Sequence, residues 1–318
     1  MITKELTYKK AFEIKRKRLS ESQAKREMML NCAYTTNPEL KEIDERLSSL
    51  GANLVMTAFS GDKSKLEKIQ KESEMLTLRK NAILKKCDVP DISYDCPLCE
   101  DTGYIGGKIC DCVKKLANSI MIEEFKKEMP LDECRFDNFD LKYYSDLGTN
   151  ENPRKRMTAI LKLCKEYVLN FSPSSSENLL FMGASGLGKT HLTLAIVSEV
   201  LEKGYTVVYG PCENLISLIE KEKYFGENKG SYENMVNCDL LVLDDLGAEM
   251  SNPFSKAALY NLINTRLLSK KPTIISTNLT IKEIADRYTE RVASRLIGNY
   301  NAKKFLGEDI RQQKILGK

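Results

Sequence analysis

Apolar positions divide the chain into stretches with different periods. Over residues 1–86 they recur at helical spacing. Ile43, Leu47, Leu50 and Leu54 follow steps of four, three and four, and Ile69, Leu76 and Ile83 recur every seven, with Leu66 just before them. The pattern predicts a helical hairpin or short coiled coil, broken at Asn37-Pro38 and at Ser60-Gly61-Asp62. Such a region has little core of its own and suits docking onto another protein better than chemistry. From about residue 177 onward, short apolar runs alternate with helical patterns. Strands are expected at 179–182, 205–209, 240–243 and 273–276, with a last one near 304–306. Helices are expected after the first strand, near 212–224 and 254–269, and around 281–287 and 289–297. Runs this short and this continuously apolar read as strands buried on both faces, so the expected fold is α/β, a parallel sheet with helices on both faces.

The first of these strands leads into Gly183-Ala-Ser-Gly-Leu-Gly-Lys189-Thr190, which fits the P-loop pattern G-x-x-x-x-G-K-[ST] in the strand–loop–helix context that the pattern requires. Gly183, Gly186 and Gly188 let backbone N–H groups turn inward and cradle phosphate oxygens at a helix N-terminus. Lys189 supplies charge to the β/γ-phosphates, and the Thr190 hydroxyl is a magnesium ligand. The apolar run Leu240–Leu243 ends in Asp244 and Asp245, at the sheet edge where open α/β folds present their ligand crevice. Asp244 is expected to hold magnesium and Asp245 to orient the attacking water. Asn278 follows the fourth strand at the same edge, in reach of a γ-phosphate as a sensor.

Between these regions stand Cys96-Pro-Leu-Cys99 and Cys110-Asp-Cys112, two thiol pairs separated by a ten-residue, glycine-bearing turn. Four soft ligands in two tight pairs are the sequence form of a small structural zinc knuckle; a redox dithiol is the alternative, and two pairs argue against it. The six other cysteines have no paired spacing and read as core or surface thiols.

Composition excludes some classes. No run approaches 18 apolar residues and the N-terminus is charged, so neither a membrane span nor a signal peptide is expected, and the cytoplasm is the default location. The net charge of +4 is a weak nucleic-acid footprint, but residues 1–30 hold nine Lys/Arg against four Asp/Glu. Within them, Lys15-Arg-Lys-Arg18 reads either as the solvated face of a helix or as a contact for an acidic partner or nucleic acid.

Taken in order, the P-loop with His191, Leu-Val-Leu-Asp244-Asp245-Leu-Gly-Ala-Glu249, Ser276-Thr-Asn278-Leu279 and Glu290-Arg291-Val-Ala-Ser-Arg295-Leu296 resemble AAA+ ATPases. Among these the chain is most similar to bacterial replicative helicase loaders of the DnaC/DnaI type. The ATPase resemblance covers roughly 135–318, and the cysteine cluster behind a helical front end resembles the zinc-bearing front end of DnaI-like loaders. It implies residues 1–90 as a helical helicase-interaction region, 91–116 as a zinc-binding module, 117–134 as a linker and 135–318 as an AAA+ ATPase domain. ATP, Mg2+ and Zn2+ are the implied cofactors. The implied partners are a hexameric replicative helicase, single-stranded DNA and further copies of the chain, joined through the AAA+ domain.

The resemblance also puts Arg295 at the arginine-finger position, with Arg291 as its rival and surface ion pairing to Asp286 or Glu290 as the alternative. Arg311 falls where these loaders keep a late arginine near the nucleotide. Single-stranded DNA is expected along the helix after the second strand, where Lys221, Lys223, Tyr224 and Phe225 mix charge with aromatic faces. Two departures stand out. Asp245 is one methylene shorter than the Glu of many AAA+ proteins, which implies slow hydrolysis. The sequence also stops soon after its last expected strand, so the helical lid of many relatives is not expected here. The competing functional readings are an IstB-type transposition helper and a zinc adaptor that holds ATP without hydrolysing it.

Overall fold

The computed structural model describes residues 4–60, 62–147, 152–248 and 252–315, so Gly61 and Glu249 lie outside the described residues. The chain forms two compact units, residues 9–113 and residues 1–8 with 114–318.

In the first unit, α1 (Lys4–Thr36) stops just before Pro38, which cannot donate to a continuing helix. Next come α2 (Glu39–Ser60) and α3 (Lys63–Lys86), the latter N-capped by Asp62, which accepts the Lys65 N–H at 3.1 Å. Ala33, Leu40, Ile43 and Ile83 make a small core, with Leu47 and Leu76 packed on it. Ion pairs Glu39–Arg79 and Arg46–Glu72 join α2 to α3 as an antiparallel hairpin. The stripe read from the sequence is therefore the hairpin seam. Strands β1 (Tyr104–Ile105) and β2 (Lys108–Ile109) then pair antiparallel around Gly106-Gly107. Both turn residues have positive φ, 54° and 77°, as a two-residue primed turn requires.

The second unit contains α4 (Asp111–Glu128), so much of the segment read as a linker is helix. After α5 (Pro153–Leu169) come β3 (Asn178–Met182), α6 (Lys189–Glu202), β4 (Val207–Pro211), α7 (Cys212–Phe225), α8 (Ser231–Asn237) and β5 (Leu240–Leu246). They are followed by α9 (Pro253–Leu268), β6 (Thr273–Thr277), α10 (Ile281–Arg287), α11 (Glu290–Asn299), β7 (Tyr300–Lys304) and α12 (Ile310–Ile315). The five longer strands form one parallel sheet in the order β4-β5-β6-β3-β7. Alternation along the strands feeds two cores. Leu179, Phe181, Leu240 and Val242 face one, with the apolar side of α5 and α6; Leu180, Leu241 and Leu243 face the other, with α7 to α11. Doubly buried strands explain the continuous apolar runs in the sequence. The last strand lies at 300–304 rather than near 304–306, because Phe305 leaves the sheet edge to pack on Phe181, with ring centroids 5.2 Å apart.

Candidate nucleotide and metal sites

At the C-terminal edge of β3 the P-loop turns into α6. Gly188 is the α6 N-cap at φ 84°, and a Cβ there would come within 2.8 Å of the Phe139 ring. Tyr144 clasps the same turn, its hydroxyl donating to the Leu187 carbonyl at 2.9 Å. Gly186, at φ 77°, is required twice over: a Cβ would meet the Asp309 carboxylate at 2.1 Å. The chain after β7 thus returns to the P-loop, and the Ile310 N–H donates to the Gly186 carbonyl at 3.0 Å.

A cavity of about 620 Å3 opens over this loop. Ser185, Gly186, Gly188, Lys189, Thr190, Asp244 and Asp245 line the end over the loop, and Phe139, Tyr143, His191, Ile310, Arg311 and Lys314 are among the residues that line the rest. Lys189 is buried, and its Nζ donates to the carbonyls of Gly183 and Ala184 at 2.6 and 2.7 Å. Burial holds its pKa below the usual lysine value against the pull of Asp245 and Asp244. Burial likewise lowers the His191 pKa, and its Nε2 donates to the Arg135 carbonyl at 2.8 Å.

Asp244 receives three hydroxyls. Thr190 Oγ1 and Tyr209 OH donate to Oδ2 at 3.0 and 2.7 Å, and Ser276 Oγ donates to Oδ1. Magnesium takes oxygen ligands, and Thr190 Oγ1 beside Asp244 Oδ2 offers two together, so these residues fit the ion. Asp245 sits at a β5 bulge with φ 54°, exposed to the cavity, its N–H donating to Ser276 Oγ at 2.9 Å. Ser276, Tyr209, Phe139, Tyr143 and Lys314 were not marked as site residues by any local pattern; they arrive from β6, β4, the segment before α5, and α12.

In the first unit the Sγ atoms of Cys96, Cys99, Cys110 and Cys112 lie within 4.8 Å of one another. The Cys96–Cys110 and Cys99–Cys112 separations are 3.8 and 3.5 Å. A zinc tetrahedron with Zn–S bonds of about 2.3 Å has edges of about 3.8 Å, so the four thiols fit that ion. Backbone N–H groups, Cys99 first and Leu98 with it, lower the Cys96 thiol to about 7, whereas burial raises Cys99 and Cys112, so the fit rests on the geometry of the four sulfurs. Behind them Asp101, buried, accepts the N–H groups of Asp95 and Cys96 at 2.8 and 3.1 Å and the Lys15 ammonium at 2.8 Å. Arg18 pairs with Asp95. Lys15 and Arg18 therefore find acidic partners within their own unit, while Lys17 stays on the solvated face.

Residues 158–297 match the family model described as IstB-like ATP binding protein. The replicative helicase loader DnaC of Escherichia coli K12 is 31% identical over 150 residues, which is 45% of this chain and 59% of that protein. DnaC of Buchnera aphidicola subsp. Baizongia pistaciae is 29% identical over 171 residues, 52% of this chain and 64% of that one. The similarity to the IstB-like family model and to DnaC thus lies in the part of the chain that holds the P-loop and the sheet. The chain spans less than two thirds of these relatives' own length. Among solved structures, the crystal structure of the DnaC helicase loader aligns with a TM-score of 0.46 and 25% identity, covering 54% of this chain and 98% of that one. The crystal structure of DnaI aligns with a TM-score of 0.43 and 22% identity, covering 57% and 93%.

The remaining expected residues stand in different settings. Asn278 stands exposed on the turn after β6 and does not line the cavity; Ser276, two residues earlier, does. Arg311 lines the cavity. Helix α11 buries Val292, Ala293 and Leu296 and leaves Arg291 and Arg295 exposed. Among the described residues neither guanidinium pairs with Asp286 or Glu290. Lys221, Lys223, Tyr224 and Phe225 are all exposed on the last turn of α7, with Tyr224 at 59% and Phe225 at 71%. The fold adds Phe254 from α9, its ring centroid 5.4 Å from Tyr224, and the Lys223 ammonium lies 5.5 and 5.3 Å from the two rings. Among the described residues no helix is long and apolar enough to cross a membrane.

Proposed function

We propose that this protein is an ATP-dependent loader of a replicative DNA helicase, acting in the initiation of DNA replication. The observation that carries the reading is the 31% identity over 150 residues to the replicative helicase loader DnaC. The cavity supports its dependence on ATP. P-loop N–H groups and Lys189 would bind the phosphates, Thr190 and Asp244 would hold magnesium, and Asp245 would orient water. Magnesium supplies neutralisation of the phosphate charge. Arg311 and Lys314 add positive charge beside the nucleotide. Asn278 is retained as a sensor for the γ-phosphate, a role its exposed turn leaves to an occupied site. Arg295, with Arg291 as rival, would complete a neighbouring copy's site, in keeping with its exposure on α11.

The helices and zinc module of residues 9–113 would grip the hexameric helicase. The Lys221, Lys223, Tyr224 and Phe225 surface, extended by Phe254, would hold single-stranded DNA, phosphates by charge and bases by stacking. The match to an IstB-like family model favours a second reading, a transposition helper sharing the same ATP site. Co-purification with a replicative helicase discriminates the two. The full chain should retain the hexamer with ATP and should load it onto closed circular single-stranded DNA, and residues 114–318 alone should not retain it. A full chain that neither binds nor loads the helicase refutes the loader reading.

A further inference from the structure

We propose that Tyr209 is a positioning residue for the magnesium carboxylate: its hydroxyl holds Asp244 in the orientation that receives the ion. The inference rests on the ATP-site reading above and goes beyond it, because Tyr209 lies in neither the P-loop nor the Asp244-Asp245 motif. It sits on β4, the edge strand, directly opposite Val242 of β5, while Asp244 stands opposite Pro211. Val242 and Asp244 project to the same face of β5. A tyrosine opposite the first reaches diagonally to the second, a span open to long aromatic side chains. The 2.7 Å bond from Tyr209 OH to Asp244 Oδ2 realises that reach.

The three hydroxyls on Asp244 have different duties. Thr190 is itself a candidate magnesium ligand, able to offer the ion a lone pair while its O–H still donates to Oδ2, so orienting the carboxylate is not its only duty. Tyr209 and Ser276 remain, one on each carboxylate oxygen, and together they fix the plane of the group. Neither is a cation, so both orient the carboxylate without cancelling the charge that attracts magnesium. Outer partners of metal-binding carboxylates act in this way.

The test uses the full chain and a fluorescent ATP analogue, with magnesium titrated in from excess EDTA. Tyr209→Phe removes only the hydroxyl. It should bind the analogue in EDTA as the unsubstituted protein does, while the magnesium midpoint rises roughly tenfold, the lower end of the usual cost of losing an outer partner. An unchanged midpoint overturns the proposal. So does an equal loss of affinity in EDTA, which would mark a general disturbance of the site. In an Asp244→Asn background, Tyr209→Phe should add no further shift; the same shift again would show that Tyr209 does not act through Asp244. If the unsubstituted protein shows no magnesium-dependent nucleotide binding, the ATP-site reading itself falls, a result distinct from an unmoved midpoint.

Discussion

Arg266 is completely buried in the second unit, and its guanidinium is satisfied by oxygen acceptors that carry no charge. It donates to the carbonyls of Met235, Val236, Cys238 and Pro272 at 2.6–3.0 Å and to Thr273 Oγ1 at 2.9 Å. Three of those carbonyls close the end of α8, so one side chain joins α8, α9 and β6. Arg266→Met should lower stability by at least about 3 kcal/mol, since each buried carbonyl left without a donor costs about 1–3 kcal/mol. Urea denaturation of the two proteins checks this; a midpoint within error of the unsubstituted protein would mean that water replaces the guanidinium freely. Nothing in Asn264-Thr-Arg266-Leu-Leu268 announces the role, because an arginine in a helical pattern reads as a surface residue until the packing around it is known. Lys189 is the opposite case. Its burial and its carbonyl partners follow from the local P-loop conformation, so its place was legible from eight residues.

At the scale of elements, the cysteine module and the α2–α3 hairpin each make a separable claim. The module should hold one zinc per chain, and Cys96→Ser/Cys99→Ser should lose it. Elemental analysis decides this, and stoichiometric metal surviving the double change would place the ligands elsewhere. Because metal binding in such a module is largely folding energy, chelation should speed hydrogen exchange across 93–112. It should also do so in α1 near Lys15, which Asp101 ties to the module at 2.8 Å. Nucleotide binding should be unaffected.

In the hairpin, burial would raise the Asp44 pKa, but hydrogen bonds from Lys80 and Tyr34 outweigh it and the net shift is below the usual 3.8. The folded carboxylate therefore binds protons less readily than the unfolded one. Its stabilisation is complete above that unfolded value and is lost as pH falls through the folded pKa. Hydrogen exchange in α2 and α3 should accelerate below about pH 4, and Asp44→Asn should flatten that dependence. Equal acid sensitivity in both proteins would assign the transition to other carboxylates.

At the scale of the whole molecule the question is assembly. Arg295 is exposed on α11 and does not line its own chain's cavity, which suits a finger acting on a neighbour. Arg295→Ala should bind ATP as a single chain yet lose stimulated hydrolysis, by up to about 10³–10⁵ for a finger. Mixing Arg295→Ala with Asp244→Asn should recover hydrolysis that neither shows alone, because one retains the phosphate site and the other the finger. A mixture that stays inactive, while sizing shows both variants in one assembly, would return Arg295 to a surface role.

The sequence alone determined whatever depends on neighbours along the chain. The P-loop and its helix, the strand ending in Asp244 and Asp245, the paired cysteines and the helix breaks at Pro38 and Asp62 are set by spacing within a few residues, and spacing is what a sequence displays. The tertiary structure decided what depends on neighbours in space. Sheet order puts β6 between β3 and β5, so Ser276 rather than Asn278 meets Asp244. Register puts Tyr209 within reach of the same carboxylate. The segment after β7 brings Asp309 and Ile310 back onto Gly186, more than 120 residues away in the chain. Hydrophobic period reports which face of an element is buried but not which element lies against it. A hydrogen bond between distant strands follows from that second choice, which the packing of the whole sheet makes.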